Sequence, residues 1–247
     1  MVFIKNEEIY SFAKEIGFDD CGFAKIEEID ENYRKHFYNW LKNGYNAQMQ
    51  WIEKNIEIRF NPKLLLENAK TVVVVLLKNE ETGKARHAFT KTARYALGEN
   101  YHKTIREKLK ILSEKIGGNT RICVDSAPIL EKYWAAKAGL GFIGRNTLFI
   151  SPKIGSFCNI GILLLDFAFD DKIVGEGVSG GDRKAPCENC NKCINSCPTK
   201  ALVAPFTLDC NKCISYQNQF GDGDFDTHGW EKGCDICQEV CPFNKGA

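Results

Sequence analysis

The 247-residue chain lacks the motifs that mark several large classes of enzyme. No G-x-G-x-x-G motif joins a predicted strand to a helix and no Walker A motif is present, so neither a Rossmann dinucleotide site nor a P-loop is supported. No apolar run approaches the ~20 residues of a membrane-spanning helix. The four histidines, His36, His87, His102 and His228, lie far apart and lack metal-ligand spacing. We expect surface or hydrogen-bonded core positions for them, and single out only His102, which follows Tyr101.

Charge and composition are those of an ordinary globular protein. Lys and Arg number 33 against 32 Asp and Glu, and 44% of the residues are hydrophobic, which predicts a sizeable core and room for one large and one small domain. Residues 1–18 carry acidic side chains and place Ile4, Ile9, Phe12 and Ile16 near helical spacing. We therefore expect neither a signal peptide nor a membrane span, and a cytoplasmic location. In that compartment twelve cysteines favour metal binding over disulfides.

The cysteines divide the chain into two regions. Only Cys21, Cys123 and Cys158 precede residue 187, and we expect these three to be small buried apolar residues, whereas the other nine lie between residues 187 and 241. The Gly-rich stretch 175–186 forms a natural boundary. The sequence predicts a large domain over 1–178 and a cysteine-rich module over 179–247.

The large domain alternates strand and helix signals. Strands are predicted over 71–77, 120–125 and 156–169 from runs of aliphatic residues, and helices over 100–118 and 127–139 from apolar periodicity and terminal glycines. This alternation predicts an α/β (α+β) fold built on a central sheet.

The module carries the cysteine spacing of bacterial ferredoxins. Cys187, Cys190, Cys193 and Cys197 follow C-x2-C-x2-C-x3-C-P, in which the fourth cysteine binds the other of two clusters. A second run ends in Cys241-Pro242. Pseudo-symmetry then predicts two [4Fe–4S] clusters, one held by Cys187, Cys190, Cys193 and Cys241, and the other by Cys197, Cys213, Cys234 and Cys237. Cys210 is the spare cysteine.

Zinc and disulfides are the alternatives for these cysteines. Paired C-x-x-C elements often bind structural zinc, but the overlapping spacing and the two Cys-Pro steps fit two separate tetrahedral sites poorly. Iron–sulfur clusters in a low-dielectric shell would transfer single electrons. A ferredoxin-like module alone indicates electron transfer and does not identify the electron acceptor. We therefore expect the large domain to contain the group that is reduced.

The segment 123–157 is the most suggestive part of the large domain. Asp125 ends an apolar strand before Ser126 and a Pro128-led helix, where ligands collect in α/β sheets. Asp125 or Ser126 could equally be a helix N-cap. Several glycines follow, which either admit a large flat ligand or form turns: Gly139, Gly141, Gly144 and Gly155. Spacing alone does not decide between these interpretations.

Five segments together resemble the epoxyqueuosine reductase family. They occur in family order and cover nearly the whole chain: NIEIRFNPKLLLENAKTVVVVLL, ARYALGENYHKTIREKL, VDSAPILEKYWAAKAGLGFIGRNTLFI, CENCNKCINSCPTKALVAPFTLDCNKCISY and GCDICQEVCPFN. The resemblance implies a cobalamin-dependent iron–sulfur reductase, similar in design to reductive dehalogenases, that converts epoxyqueuosine in tRNA to queuosine. It implies base-off cob(II)alamin in the large domain, reduced to cob(I)alamin by the clusters, and a reduced electron-donor protein.

The resemblance also implies roles for individual residues. The catalytic aspartate of the family falls on Asp125, as the proton donor to the departing epoxide oxygen. The residues implied to line the cobalamin are Arg59, Asp125, Asn146, Phe149, Ile160, Ser215, Cys234 and Asp235.

The substrate is less firmly implied than the cofactors. Family members usually continue past the last cluster cysteine into a helical region that helps to hold tRNA, and this sequence ends six residues after Cys241. Residues 84–115 carry nine Lys or Arg against three Glu, which would suit either tRNA phosphates or a solvated helix face. Tyr95 and Tyr101 could stack on a base. Two other functions stay open, a cobalamin-dependent reductase of a small molecule and a plain electron-transfer protein.

Overall fold

The computed structural model describes residues 4–79, 90–168, 186–221 and 223–245. The predicted domain boundary at 178/179, His87 and residues 84–89 of the basic run lie outside these ranges. Among the described residues, no helix is long and apolar enough to cross a bilayer.

The strands and helices are numbered in chain order. The strands are β1 (Asp20–Lys25), β2 (Thr71–Lys78), β3 (Lys91–Thr92), β4 (Thr120–Cys123), β5 (Phe142–Ile143), β6 (Phe149–Ile150), β7 (Cys158–Leu165), β8 (Leu202–Ala204), β9 (Thr207–Leu208) and β10 (Trp230–Lys232). The helices are α1 (Asn6–Ile16), α2 (Glu31–Lys42), α3 (Gln50–Lys54), α4 (Ile56–Phe60), α5 (Tyr101–Ile116), α6 (Glu131–Lys137), α7 (Lys192–Ser196), α8 (Ile214–Phe220) and α9 (Ile236–Glu239).

A four-stranded sheet lies at the centre of the large domain. Its strand order is β1-β2-β7-β4, and every neighbouring pair is antiparallel. The predicted mixed fold with a central sheet is confirmed. The argument that placed Asp125 at the ligand-binding edge of a parallel sheet is wrong, because β4 pairs with β7 in the antiparallel sense.

Strand β2 is buried on both faces. Val73 and Val75 pack in the core that α1 and α5 cover, whereas Val72 and Val74 pack in a second core with Trp134 of α6. A strand covered on both sides needs no polar alternation, which explains the uninterrupted aliphatic run over 71–77. Cys21 and Cys123 are buried as predicted, and Cys158 is partly buried against the second core.

Two predicted elements are shorter in the structure. Strand β4 ends at Cys123 rather than 125, and α6 begins at Glu131 rather than 127. Pro128 disfavours helical backbone at the residue before it, which delays the helix. The N-cap of α6 is therefore Leu130, and the interpretation of Asp125 or Ser126 as an N-cap is wrong.

The glycines of segment 139–155 serve turns and close packing. Gly139 and Gly155 have φ of 76° and 74°, a left-handed conformation that favours glycine. A Cβ at Gly141 would collide with the carbonyl oxygen of Ile150, and one at Gly144 with the Ile150 side chain. Gly139 and Gly155 thus serve turns, Gly141 and Gly144 serve close packing of the chain, and the approach of a large flat ligand stays a prediction.

The cysteine-rich region packs directly on the large domain. Strand β3 pairs with β10 in parallel, and the Trp40 Nε1–H donates to the Leu208 carbonyl at 2.7 Å. Ser156 takes part in three further hydrogen bonds across this contact: its N–H donates to Asn244 Oδ1 (2.7 Å), its Oγ donates to Gln238 Oε1 (2.9 Å), and Asn244 Nδ2 donates to its Oγ (2.9 Å). The strand pairing and the partly buried Trp40 indole thus hold the cysteine-rich region against the large domain, and the Gln238 and Asn244 side chains hold α9 and its cysteines against the loop after β6.

Candidate active site

The cysteines of the module lie on short helices and the turns around them. Cys187 and Cys190 lie in the turn before α7, Cys193 is on α7, and Cys197 directly follows it. Further along, Cys213 is the N-cap of α8, Cys234 precedes α9, Cys237 is on α9 and Cys241 comes just after it.

One group of thiols gathers around Cys187 and Cys190. Burial raises the pKa of Cys193 and of Cys241, and the nearby charges of Cys187 and Cys190 act on both in the same direction. Cys187 and Cys241 also pack together with Phe142 and Ile150 of the large domain. The four cysteines predicted to hold one cluster are therefore neighbours.

A second group gathers around Cys237. Burial raises the pKa of this thiol, and the charges of Cys234, Cys213, Cys193 and Cys197 raise it further. Three of these neighbours belong to the second predicted ligand set, and Cys193 belongs to the first, so the two groups adjoin. Cys210 differs, since the only cysteine acting on its pKa is Cys213.

The arrangement suits clusters rather than single ions. Among the described residues, no group of three or more His, Cys, Asp or Glu side chains is placed to hold one metal ion. Each thiolate of a cubane binds a different iron, so its sulfurs spread more widely than the ligands of one zinc. Buried thiolates without a metal would repel one another. Metal ions displace the protons of the thiols, and their positive charge removes the repulsion between the thiolates.

Backbone N–H groups point at the sulfurs. Ser215 and Tyr216 donate to Cys213, and Ile236 donates to Cys234, which in each case opposes the rise in pKa that burial causes. Hydrogen bonds to cluster sulfurs stabilise the reduced, more negative state. The first turns of α8 and α9 therefore both position these cysteines and adjust their electrostatics.

A largely apolar cavity of about 340 Å³ adjoins the second group. Its wall contains all four of these cysteines, Cys197, Cys213, Cys234 and Cys237. The large domain contributes Tyr95 and Asn146, and the module contributes Ser215. Among the described histidines, none lines it.

A row of aromatic rings leads from this cavity to Asp125. The ring of Tyr95, in the cavity wall, meets the edge of Tyr101 at a centroid distance of 6.4 Å. Tyr101 stacks on His102 at 4.0 Å, and His102 Nδ1 lies 3.6 Å from Asp125 Oδ2. The Asp125 side chain is 57% exposed. His102 thus lies beside the candidate acid. Its position next to Tyr101 in the sequence did not show this contact.

Asp125 occupies a strained turn. Its φ is 55°, and the Ser126 N–H donates to the Val124 carbonyl at 2.6 Å, which closes a three-residue γ-turn around it. Positive φ in such a turn is rare for a residue with a side chain and costs on the order of 1–3 kcal/mol. Contacts outside the turn must offset that cost.

Glu131 provides the clearest such contact. Its Oε1 accepts a hydrogen bond from the Asp125 N–H at 2.7 Å. Burial raises the pKa of Glu131 to about 7, while this hydrogen bond and the nearby charge of Arg59 act in the opposite direction. A hydrogen bond to a charged acceptor contributes about 1.5–3 kcal/mol, comparable with the strain. Glu131 was not singled out from the sequence, because nothing in its spacing shows which backbone amide it reaches.

Comparison with known proteins decides the family. Residues 59–126 match the family described as epoxyqueuosine reductase QueG, DUF1730, and residues 186–244 match the 4Fe-4S double cluster binding domain. An epoxyqueuosine reductase of Cellulophaga algicola is 37% identical over 93% of this chain and 76% of its own length. The chain belongs to the epoxyqueuosine reductase family.

Two solved epoxyqueuosine reductases show the same fold. One, crystallised with an epoxyqueuosine-modified tRNA-Tyr stem loop, has a TM-score of 0.84 and 30% identity. Another, from Bacillus subtilis, has a TM-score of 0.80 and 30% identity, with its catalytic aspartate loop swung out of the active site. Each match covers 97% of this chain, which spans only 65% of the length of either solved chain.

Six of the eight residues that the epoxyqueuosine reductase resemblance assigned to cobalamin fall into three sets, while Arg59 and Asp125 do not line the cavity. Asn146, Ser215 and Cys234 line the cavity, as described above. Phe149 is buried in the core and Ile160 packs against that core, so their contact with a cofactor stays a prediction. Asp235 is buried next to Cys234, and its Oδ2 accepts the Arg94 N–H at 2.8 Å.

Arg59 tests whether the residues present fit a bound cofactor. Its Nε is buried and has no hydrogen-bond partner among the described residues. Burial lowers the pKa of Arg59, and the charge of Glu131 opposes that effect. A buried unpaired donor on a charged group is costly and requires an acceptor. The amide and phosphate oxygens of cobalamin are acceptors of the required kind.

Proposed function

We propose that this chain reduces epoxyqueuosine in tRNA to queuosine. Its family membership supports the activity, and the similar structure with an epoxyqueuosine-modified stem loop supports the substrate. The observation that carries the proposal is the two-sided cavity. Cluster-type cysteines form one wall, where electrons would arrive, and the aromatic row from the other wall ends at the carboxyl of Asp125, where a proton would be supplied.

The reaction consumes two electrons and two protons. Both carbon–oxygen bonds of the epoxide break, a carbon–carbon double bond forms, and the oxygen leaves as water. A reduced donor protein would supply the electrons. Iron–sulfur clusters transfer one electron at a time, so each turnover would need two transfers through them.

Two [4Fe–4S] clusters and a cobalamin are the cofactors that we propose. The first cluster would use Cys187, Cys190, Cys193 and Cys241, and the second would use Cys197, Cys213, Cys234 and Cys237. Arg59, Asn146, Ser215 and Asp235 would hold the cobalamin beside the second cluster. When bound and reduced, cobalamin would supply a strongly nucleophilic cobalt, and the clusters would supply the electrons that reduce it.

Asp125 is the proposed general acid. Its carboxyl is exposed toward the solvent side of the turn and reachable by a bound substrate, and His102 lies at a distance that a small rotation would convert into a hydrogen bond. His102 can return a proton to Asp125 after each turnover, because an imidazole nitrogen can both accept and donate a proton. The hydrogen bond to Glu131 and the γ-turn fix the backbone of Asp125, from which its carboxyl side chain extends.

The described part of the basic run is the proposed tRNA contact. Helix α5 begins at Tyr101 and His102, next to Asp125, and exposes Lys103, Arg106 and Lys110 along its length. Cations on one helix that begins at the reaction centre would bind phosphates flanking the modified base. Such contacts weaken as the salt concentration rises. The slope of the logarithm of the binding constant against the logarithm of the salt concentration is proportional to the number of phosphates neutralised.

The test is turnover of an epoxyqueuosine-containing tRNA stem loop. Anaerobically reconstituted protein with cobalamin and a strong reductant should give queuosine, detected by mass spectrometry of the digested RNA, and omission of cobalamin should abolish the product. A free epoxyqueuosine nucleoside serves as the second substrate. No product from either, with iron and cobalamin both bound, would contradict the proposal and favour a small-molecule reductase.

A further inference from the structure

The loop of residues 124–130 is held at one defined point. The backbone of Asp125 is strained, with positive φ inside a γ-turn, and its N–H points away from the turn to the carboxylate of Glu131, six residues later. Strand β4 has already ended at Cys123, so neither the sheet nor the helix uses this N–H. Glu131 is thus the acceptor that holds the strained residue.

Glu131 itself is anchored by its surroundings. It is the first residue of α6, whose following residues Tyr133, Trp134 and Ala135 are buried in the core, so its backbone cannot follow the loop. The charge of Arg59, on α4, favours the ionised form of the Glu131 carboxyl. One end of the hydrogen bond is therefore rigid, and the other end is a loop without regular structure.

We propose that Glu131 is a positioning residue that holds the Asp125 loop in its reactive arrangement. The proposal rests on the proposed role of Asp125 as proton donor. Without the carboxylate, Asp125 would relax to a common negative φ, which turns its side chain away from His102 and from the substrate. The carboxylate acts through the backbone of Asp125 and does not touch the reacting atoms.

A purely structural role makes a different prediction. Glu131 also lies at the N-terminus of α6, where any acid is favourable to the helix, and it faces Arg59. If those contacts are its whole function, its replacement lowers stability or cofactor content and leaves the loop unchanged. Glutamine separates the two roles, because its amide oxygen can still accept the Asp125 N–H although it carries no charge.

The experiment uses the reconstituted holoenzyme and three variants. Glu131→Leu removes the acceptor with little change in size, Glu131→Gln keeps an acceptor, and Glu31→Gln, the control, neutralises an exposed acid at the start of α2 that pairs with Lys35. Glu131→Ser, too short to reach the amide, replaces Glu131→Leu if that variant does not fold. Hydrogen exchange of a peptide covering 124–130 and stem-loop kinetics are measured on each, together with iron and cobalamin content.

We expect Glu131→Leu to speed exchange at Asp125 by about tenfold or more and to lower kcat by a similar factor, with KM and cofactor content unchanged. Glu131→Gln should stay within about threefold of the parent in both readouts, since an acceptor remains. Unchanged exchange in Glu131→Leu would overturn the proposal, and so would faster exchange with unchanged kcat. If the parent enzyme itself shows no turnover, the proposed function fails, and the exchange data still decide whether Glu131 holds the loop.

Discussion

Replacing Cys213 and Cys210 one at a time separates a cluster ligand from its neighbour. The two residues lie three positions apart, both line the same cavity, and a sequence motif alone could assign either to the second cluster. Their surroundings differ. Cys213 faces Cys197 and receives N–H donors from Ser215 and Tyr216, whereas the only cysteine whose charge acts on Cys210 is Cys213.

The expected sizes of the two effects follow from these positions. Cys213→Ala removes one of four ligands, so the protein should lose about four of its about eight irons per chain. Cys210→Ala removes one sulfur that is 7% exposed, which should cost about 1–2 kcal/mol of stability and no iron.

Iron and acid-labile sulfide are measured after anaerobic reconstitution, with the electron paramagnetic resonance signal of the reduced protein as a second readout. Cys197→Ala serves as the positive control and should match Cys213→Ala. Equal iron in the parent and Cys213→Ala, or a loss of iron in Cys210→Ala, would refute the ligand assignment. Stoichiometric zinc in the parent would refute the clusters altogether.

Three further predictions follow from the described geometry. Gly161→Ala should destabilise the fold by about 1–3 kcal/mol in urea denaturation, because the added Cβ would lie 2.5 Å from Ile105 Cγ2, while Gly98→Ala, in open space, should not. Folding raises the pKa of Glu131 from 4.5 to about 7, so the folded chain holds more protons between these values. Relative to Glu131→Gln, the parent's free energy of unfolding should be highest below pH 4.5 and fall by on the order of 3 kcal/mol as pH rises from 4.5 through 7. A flat difference would contradict this. Bound cob(II)alamin should show no nitrogen superhyperfine splitting from a protein histidine in electron paramagnetic resonance, because no described histidine lines the cavity; a histidine-type splitting would contradict that.

The sequence predicts some parts of this molecule because local chemistry determines them. The aliphatic run over 71–77 predicts a buried strand, and the Cys-Pro spacing around Cys197 is typical of two interlocked clusters. Long-range pairing is different. The antiparallel order of the sheet, the contact of Glu131 with the Asp125 amide and the approach of His102 to Asp125 depend on where distant segments pack. Asp125 and Ser126 are residues that favour the start of a helix, but the structure has a strained γ-turn at Asp125. Functional sites often depart from such local preferences.

The most direct test of the account compares Asp125→Asn with Asp226→Asn. Asp226 is a matched control, since it too is an exposed acid beside a histidine, with His228 Nε2 at 3.7 Å from its Oδ2, but it does not adjoin the row of Tyr95, Tyr101 and His102. Both variants should keep their iron and bind cobalamin. Under single-turnover conditions with prereduced enzyme and an epoxyqueuosine stem loop, Asp125→Asn should form queuosine ~10²–10⁴-fold more slowly than the parent, because an amide cannot deliver the proton that the epoxide oxygen requires. Asp226→Asn should match the parent. A rate for Asp125→Asn within about threefold of the parent would contradict its role as the proton donor.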